Sequence, residues 1–384
     1  MNFKRIISIF LCVMLFLGIG ITAFAEENSM PVSVNAKAAI LIDCSSGKVL
    51  MAMNEHERLN PASVTKIMTI LLTLEAIDQE KIQFTDEVKT SAFASKKGGS
   101  QIWLKEGEVM TVDELLKATV IGSANDAACA LAEYIAGSEE AFVDMMNNRA
   151  KELGMNDTHF ENCTGLDDET TDHLTSAYDI AIMSREVMKH DIIKNYSTVW
   201  MDSLRNGATE LVNTNKLVRF YSGTTGLKTG TTSKAGNCLS ATAERDGTKL
   251  CAVILGAPDS KGRFENAKAM LNYGFSSYKT VKPKICTELV TNVNVIHGVK
   301  NTITPIIPES KEIMIEKGTE DKISQTVEMC VDVEAPVEKG QILGKVIFTL
   351  DGQTIDEYNL TAGENIAKIN FYYALKFLLA SLIA

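Results

Sequence analysis

The hydrophobic pattern opens with an apolar run, residues 6–21, behind Lys4 and Arg5. Two strand-like runs follow at 38–42 and 48–53, joined by Ser45-Ser46-Gly47, which is a hairpin signal. After Pro61 the pattern changes. Ile67, Met68, Ile70, Leu71, Leu72, Leu74 and Ile77 are apolar nearly all round, so a buried helix is expected to start near Pro61 and run to about Ile77. Thr111-Val112-Asp113-Glu114 is a capping box that opens another helix. Residues 122–125 interrupt it, and it resumes from Asp126 to Gly137. Helical patterns return over 139–153, stopped by Gly154, and over 176–190. Strand runs at 238–244 and 249–255 flank Asp246-Gly247, a hairpin turn. A further helix is expected over 264–273, ending at Gly274.

The pattern shifts near Val281-Lys282-Pro283 and alternates to about residue 365, as in 289–295, 326–333 and 342–350. Asp351-Gly352 supplies another hairpin turn, so this region is expected to be a small all-β domain. Residues 371–384 are apolar except for Lys376 and Ser381. A bilayer needs about 20 apolar residues, so this tail is too short to span. It is expected to lie in the membrane plane with two tyrosines and a lysine as anchors; the competing expectation is a helix packed on the β domain.

The chain has 384 residues, which fits about two domains, and 45% apolar content is ordinary for a globular protein. Lys4, Arg5, the apolar run and Ala23-Phe24-Ala25 form a secretory signal peptide over 1–25. Its removal takes away two positive charges and moves the net charge from −11 to −13. That acidity argues against a nucleic-acid partner. Seven cysteines remain, an odd and widely spaced number, so no disulfide framework is expected. The spacings C-x-x-C and H-E-x-x-H are missing and the five histidines match no metal spacing, so neither a metal nor a cofactor is expected.

Candidate chemistry centres on Ser63-Val64-Thr65-Lys66. On a helix the hydroxyl and amine stand one above the other, the serine at the positive helix end. A serine beside an amine that can take its proton is an activated nucleophile. The same spacing recurs at Ser45–Lys48, in a turn between two apolar runs, and at Ser276–Lys279, at a helix end with no buried run after it. Ser63 is singled out by its buried helix together with two later motifs, Ser123-Ala124-Asn125, which breaks a helix, and Lys228-Thr229-Gly230, which leads into a strand hairpin. Sets of this type belong to β-lactamases and penicillin-binding proteins. Singly, Ser123 could be only a helix cap, Lys228 a solvated edge-strand charge and Gly230 a source of backbone freedom. No G-x-S-x-G elbow is present, and nothing points to a Ser-His-Asp triad.

With these motifs the chain resembles the low-molecular-mass penicillin-binding proteins, the serine-type D-alanyl-D-alanine carboxypeptidases. The likeness covers about residues 36–384. It includes Ile42-Asp43, Pro61-Ala62 and the run from Gly154-Met155-Asn156 through Thr158-His159-Phe160 to Thr164-Gly165-Leu166. It implies an α+β fold: a β-lactamase/penicillin-binding transpeptidase-like domain, an antiparallel sheet flanked by helices, over 26–280. A small β-sandwich over 281–365 and an amphipathic membrane-anchoring tail over 366–384 would follow.

The resemblance also implies roles. Ser63 attacks the carbonyl between two terminal D-alanines of a peptidoglycan stem pentapeptide and Lys66 takes its proton. Lys228 helps keep Lys66 neutral, and Ser123 relays a proton to the leaving amine. Asn125 holds the substrate backbone and orients Lys66. Main-chain N–H groups of Ser63 and Thr231 form the oxyanion hole, Lys228 and Thr229 bind the terminal carboxylate beside Gly230, and Arg263 assists. β-Lactams would be covalent inhibitors, and the protein would be exported to the outer face of the cytoplasmic membrane. Ser-Ala-Asn in place of Ser-Asp-Asn leans away from class A β-lactamases, and their deacylating glutamate motif is not found. Thr231 stands where some relatives carry histidine. A D,D-endopeptidase, a β-lactamase and a silent wall-binding scaffold remain the competing readings.

Overall fold

Strands Ala38–Asp43 (β1) and Val49–Met53 (β2) form the predicted hairpin at one side of a five-stranded sheet. The computed structural model describes residues 31–168, 170–373 and 375. The expected signal peptide, 1–25, and the end of the tail lie outside these residues. The sheet is completed by Thr224–Thr232 (β3), Gly236–Arg245 (β4) and Thr248–Ala257 (β5), in the order β2-β1-β5-β4-β3, with every pairing antiparallel. Asp246 and Gly247 both have positive φ, as the tight turn between β4 and β5 requires.

The helix Lys66–Asp78 buries ten of its 13 residues, in keeping with its all-round apolar pattern. It packs against the helices Val112–Ile121, Asn125–Ala136, Glu139–Glu152 and Ala177–Val187 and reaches β3. The capping box at Thr111 forms as expected, with Thr111 and Glu114 bonded reciprocally.

Two local expectations are corrected. Ser63 is not inside the α-helix; it lies in a 3-10 turn, Ala62–Thr65, and Lys66 is the first α-helical residue. The helix expected over 264–273 spans Ser260–Ser277, capped by the Asp259 carboxylate. Gly274 does not end it. A Cβ there would stand 2.5 Å from Leu250 and 3.1 Å from Leu41, so glycine lets the helix lie close on the sheet.

Beyond residue 277 the structure is mostly β. Tyr278–Val281 pairs with Ile313–Glu316. Val293–Ile296 is the middle strand of a three-stranded sheet, and Ile342–Leu350 and Gln353–Ala362 are the middle strands of a four-stranded one. Val293, Val295 and Ile303 of the first share an apolar cluster with Leu343 and Ala362 of the second, so the two sheets pack on each other.

Candidate active site

Ala62 has a φ of +50°, a region costly for a residue with a Cβ, and this presents Ser63 at the head of the buried helix. Lys66 Nζ lies 3.0 Å from Ser63 Oγ and donates to the Thr164 carbonyl at 2.7 Å. Lys66 is fully buried, and burial lowers its amine to about 7, against smaller upward pulls from Cys163 and Asp126. An amine with that affinity is neutral in much of the population near pH 7 and can act as a base.

Ser123 sits in the break between two helices, again at positive φ, +61°. Its Oγ accepts from Lys228 Nζ at 2.8 Å, and Lys228 also donates to the Thr229 carbonyl at 3.0 Å. Lys228 is fully buried too. Burial pushes its amine well below the usual lysine range, and the charges of Lys66 and Arg263 push the same way. Among the described residues no carboxylate forms an ion pair with either lysine. The Lys66 charge thus weighs on Lys228 without a paired carboxylate to offset it.

The strand β3 is the edge strand beside this pocket. A Cβ on Gly230 would lie 2.7 Å from the Pro61 carbonyl and 3.0 Å from the Ser63 nitrogen, so only glycine lets the strand pass this close. Thr231, next along the strand, is exposed. Thr229 Oγ1 donates to Thr214 Oγ1 at 2.7 Å. Arg263 lies within the helix that backs the sheet, and its Nη1 donates to the Gly230 carbonyl and to Thr231 Oγ1, each at 2.9 Å. The structure thus brings Ser63, Lys66, Ser123, Lys228 and Gly230 together, with Arg263 holding the strand by its main chain.

Asn125 differs from the expectation. Its Nδ2 donates to the Gly98 carbonyl at 2.6 Å, and it makes no bond to Lys66, which the Thr164 carbonyl holds instead. Its Oδ1 is buried and has no partner, an acceptor suited to a substrate N–H.

Sequence reasoning missed Thr164 as a functional residue, because a main-chain carbonyl leaves no residue-type signal. It also missed His173. Glu161 donates its N–H to His173 Nδ1 at 2.9 Å, which makes Nε2 the protonated nitrogen, and Nε2 donates to Thr65 Oγ1 at 2.8 Å. Burial lowers His173 to about 4, so it is a neutral strut beneath the nucleophile turn. Gly165 permits the close approach that places Thr164. Its φ is +82°, and a Cβ would fall 1.8 Å from the Ala62 carbonyl oxygen. A Gly165→Ala protein is expected to lose about 2–4 kcal/mol of stability in urea denaturation and to acylate more slowly with penicillin.

A cleft of about 520 Å³ adjoins the site, lined by Lys97, Gly98, Gly99, Thr164 and Leu166 among others.

A family model described as D-alanyl-D-alanine carboxypeptidase matches residues 24–259, and one described as the penicillin-binding protein 5 C-terminal domain matches 278–368. The chain belongs to the D-alanyl-D-alanine carboxypeptidase family. It is a serine-type hydrolase of that family. The carboxypeptidase DacF of Bacillus subtilis is 41% identical over 380 residues, 97% of each chain. DacC of Escherichia coli is 34% identical and covers 91% of this carboxypeptidase and 89% of its own length. Among solved structures, penicillin-binding protein 5 from Haemophilus influenzae superposes with a TM-score of 0.78 at 30% identity, covering 88% of this chain and 99% of its own. Penicillin-binding protein D2 from Listeria monocytogenes, solved in an ampicillin-bound form, gives 0.56 at 29% identity over 64% of this chain and 98% of its own.

Proposed function

We propose that the carboxypeptidase removes the terminal D-alanine of peptidoglycan stem pentapeptides through an acyl-Ser63 intermediate, and that β-lactams acylate the same oxygen. Neutral Lys66 takes the Ser63 proton as Oγ attacks the scissile carbonyl. The main-chain N–H groups of Ser63 and Thr231 hold the oxyanion. The proton passes through Ser123 to the leaving nitrogen, the C–N bond breaks and D-alanine departs. A water then gives its proton to Lys66 and its oxygen to the acyl carbon, and Lys66 returns a proton to Ser63. Asn125 Oδ1 accepts a substrate N–H.

The observation that carries this reading is the pair of buried amines without a counter-ion, each bonded to a serine hydroxyl. A substrate that ends in a free carboxylate supplies the missing anion to Lys228 and Thr229, and this restores the charge that burial suppresses. Glu161 is not placed to activate a deacylating water as a β-lactamase glutamate would, because its carboxylate accepts the Thr171 and Asp172 N–H groups.

Incubation with a peptide ending in D-Ala-D-Ala is expected to release D-alanine, and amidation of its terminal carboxylate is expected to abolish release. Equal release from both peptides would remove Lys228 from the proposed role. On sacculi, a fall in dimer muropeptides without D-alanine release would favour an endopeptidase.

The catalytic domain is assigned to 26–280, the β domain to 281–365 and the anchoring tail to 366–384. Export by a signal peptide over 1–25 and attachment to the outer face of the cytoplasmic membrane belong to the same proposal. Among the described residues no helix is long and apolar enough to cross a membrane, while Phe371 and Tyr372 are 82% and 69% exposed, as a surface anchor requires. Deletion of 371–384 is expected to move the protein from the membrane to the soluble fraction with peptide hydrolysis intact. Retention on the membrane would sink the anchor.

A further inference from the structure

Glu139 opens its helix and is nearly buried. Its two oxygens have different partners. Oε2 takes the Lys97 ammonium at 2.5 Å, while Oε1 accepts the Cys163 thiol at 3.1 Å and the Cys163 N–H at 3.2 Å. Cys129, from the helix Asn125–Ala136, completes the group. The two sulfurs and a Glu139 oxygen all lie within 4.8 Å of one another. Both thiols are fully buried and free.

We propose that Cys129, Cys163 and Glu139 form an inhibitory site for one thiophilic divalent cation of the zinc–cadmium class. Zinc bonds thiolate at about 2.3 Å and carboxylate at about 2.0–2.2 Å, which sets tetrahedral ligand atoms about 3.5–3.8 Å apart, so small side-chain shifts close the site. Charge also balances. With the thiols protonated, Glu139 and Lys97 cancel; when a divalent cation displaces two thiol protons, the buried sum stays at zero. No electron is transferred. Lys97 on Oε2 is the outer partner that orients the carboxylate. Entry is through the 520 Å³ cleft, which Glu139 and Lys97 line. A fourth ligand position is left open for water.

The site touches both arms of the catalytic machinery. Cys163 precedes Thr164, whose carbonyl holds Lys66, and Lys97 precedes Gly98, whose carbonyl holds Asn125. Drawing Cys163 onto a metal moves the Thr164 carbonyl and with it the base. No metal spacing shows in the sequence because the three ligands come from two helices and a loop.

The test is titration of the reduced, metal-free mature protein with cadmium. One equivalent is expected to give a thiolate-to-cadmium ultraviolet band with release of two protons. Cys129→Ala should abolish the band yet still label with fluorescent penicillin, which shows that it is folded; Cys163→Ser is the second variant if it does not label. Cys44→Ala and Cys251→Ala, which alter the other thiol pair in contact, should keep the band. Stoichiometric zinc should slow penicillin labelling about tenfold in the parent and leave Cys129→Ala unchanged. No band, a band that survives Cys129→Ala, or unaltered labelling with the metal bound would overturn the proposal.

Discussion

A Ser63→Ala protein is expected to take up no penicillin covalently and to release no D-alanine at any pH. The reaction as proposed passes through a bond from Ser63 Oγ to the substrate acyl carbon, and no other hydroxyl is set to replace it. Ser123, the other serine at the site, accepts from Lys228 rather than from the base, and it lies in a different segment from the 3-10 turn that presents Ser63. The Ser63 hydroxyl does not anchor that turn, since among the described residues its only side-chain hydrogen bond is with Lys66 Nζ. Removing it should therefore spare the fold. A Ser63→Ala protein with a parent-like melting curve but no labelled band in a gel assay is the expected result. A labelled band would place the nucleophile elsewhere.

Lys66→Met is expected to lower the acylation rate by about 10²–10⁴-fold, the usual share of a positioned base. Lys66→Arg should be equally inactive, because a guanidinium stays charged and cannot take the proton. In the parent, the acylation rate should climb as pH rises through about 7, where Lys66 loses its proton, and the Lys66→Met residual rate should lack that limb. Stability should rise with pH as well, but over a higher window. The ordinary lysine value of 10.5 exceeds the folded value of about 7, so the unfolded chain binds more protons between these limits. Stability is fully present above the unfolded value and falls as pH drops towards the folded one. This one amine makes a difference of about 5 kcal/mol. Lys66→Met removes that penalty and should be more stable than the parent near pH 7 by a few kcal/mol, read from urea denaturation at pH 7 and 10. An unchanged pH–rate profile in Lys66→Met would remove the lysine from the base role.

Thr164 and Gly165 mark where reading the chain stopped. Both stand in a family-like run, but their work is done by a carbonyl and by a missing Cβ. Asn125 makes the same point. Its motif place was legible, but its bond to Gly98 instead of Lys66 depends on where residues 98–100 cross the helix break. Gly274 carries the residue type of a helix stop, whereas in the fold it serves packing on Leu250 and Leu41.

By itself the sequence determined the elements and the cast. The all-round apolar helix after Ser63, the capping box at Thr111, the Asp246-Gly247 and Asp351-Gly352 turns and the three short motifs are local matters of periodicity, turn chemistry and residue type. Tertiary structure alone decided that two amines from segments far apart in the chain would meet, fully buried, with no ion-paired carboxylate among the described residues. Their lowered proton affinities follow from that burial, and for Lys228 also from the Lys66 charge, which depend on what surrounds each group and not on its neighbours in the chain. The same reason hid the Cys129–Glu139–Cys163 cluster until the helices were packed.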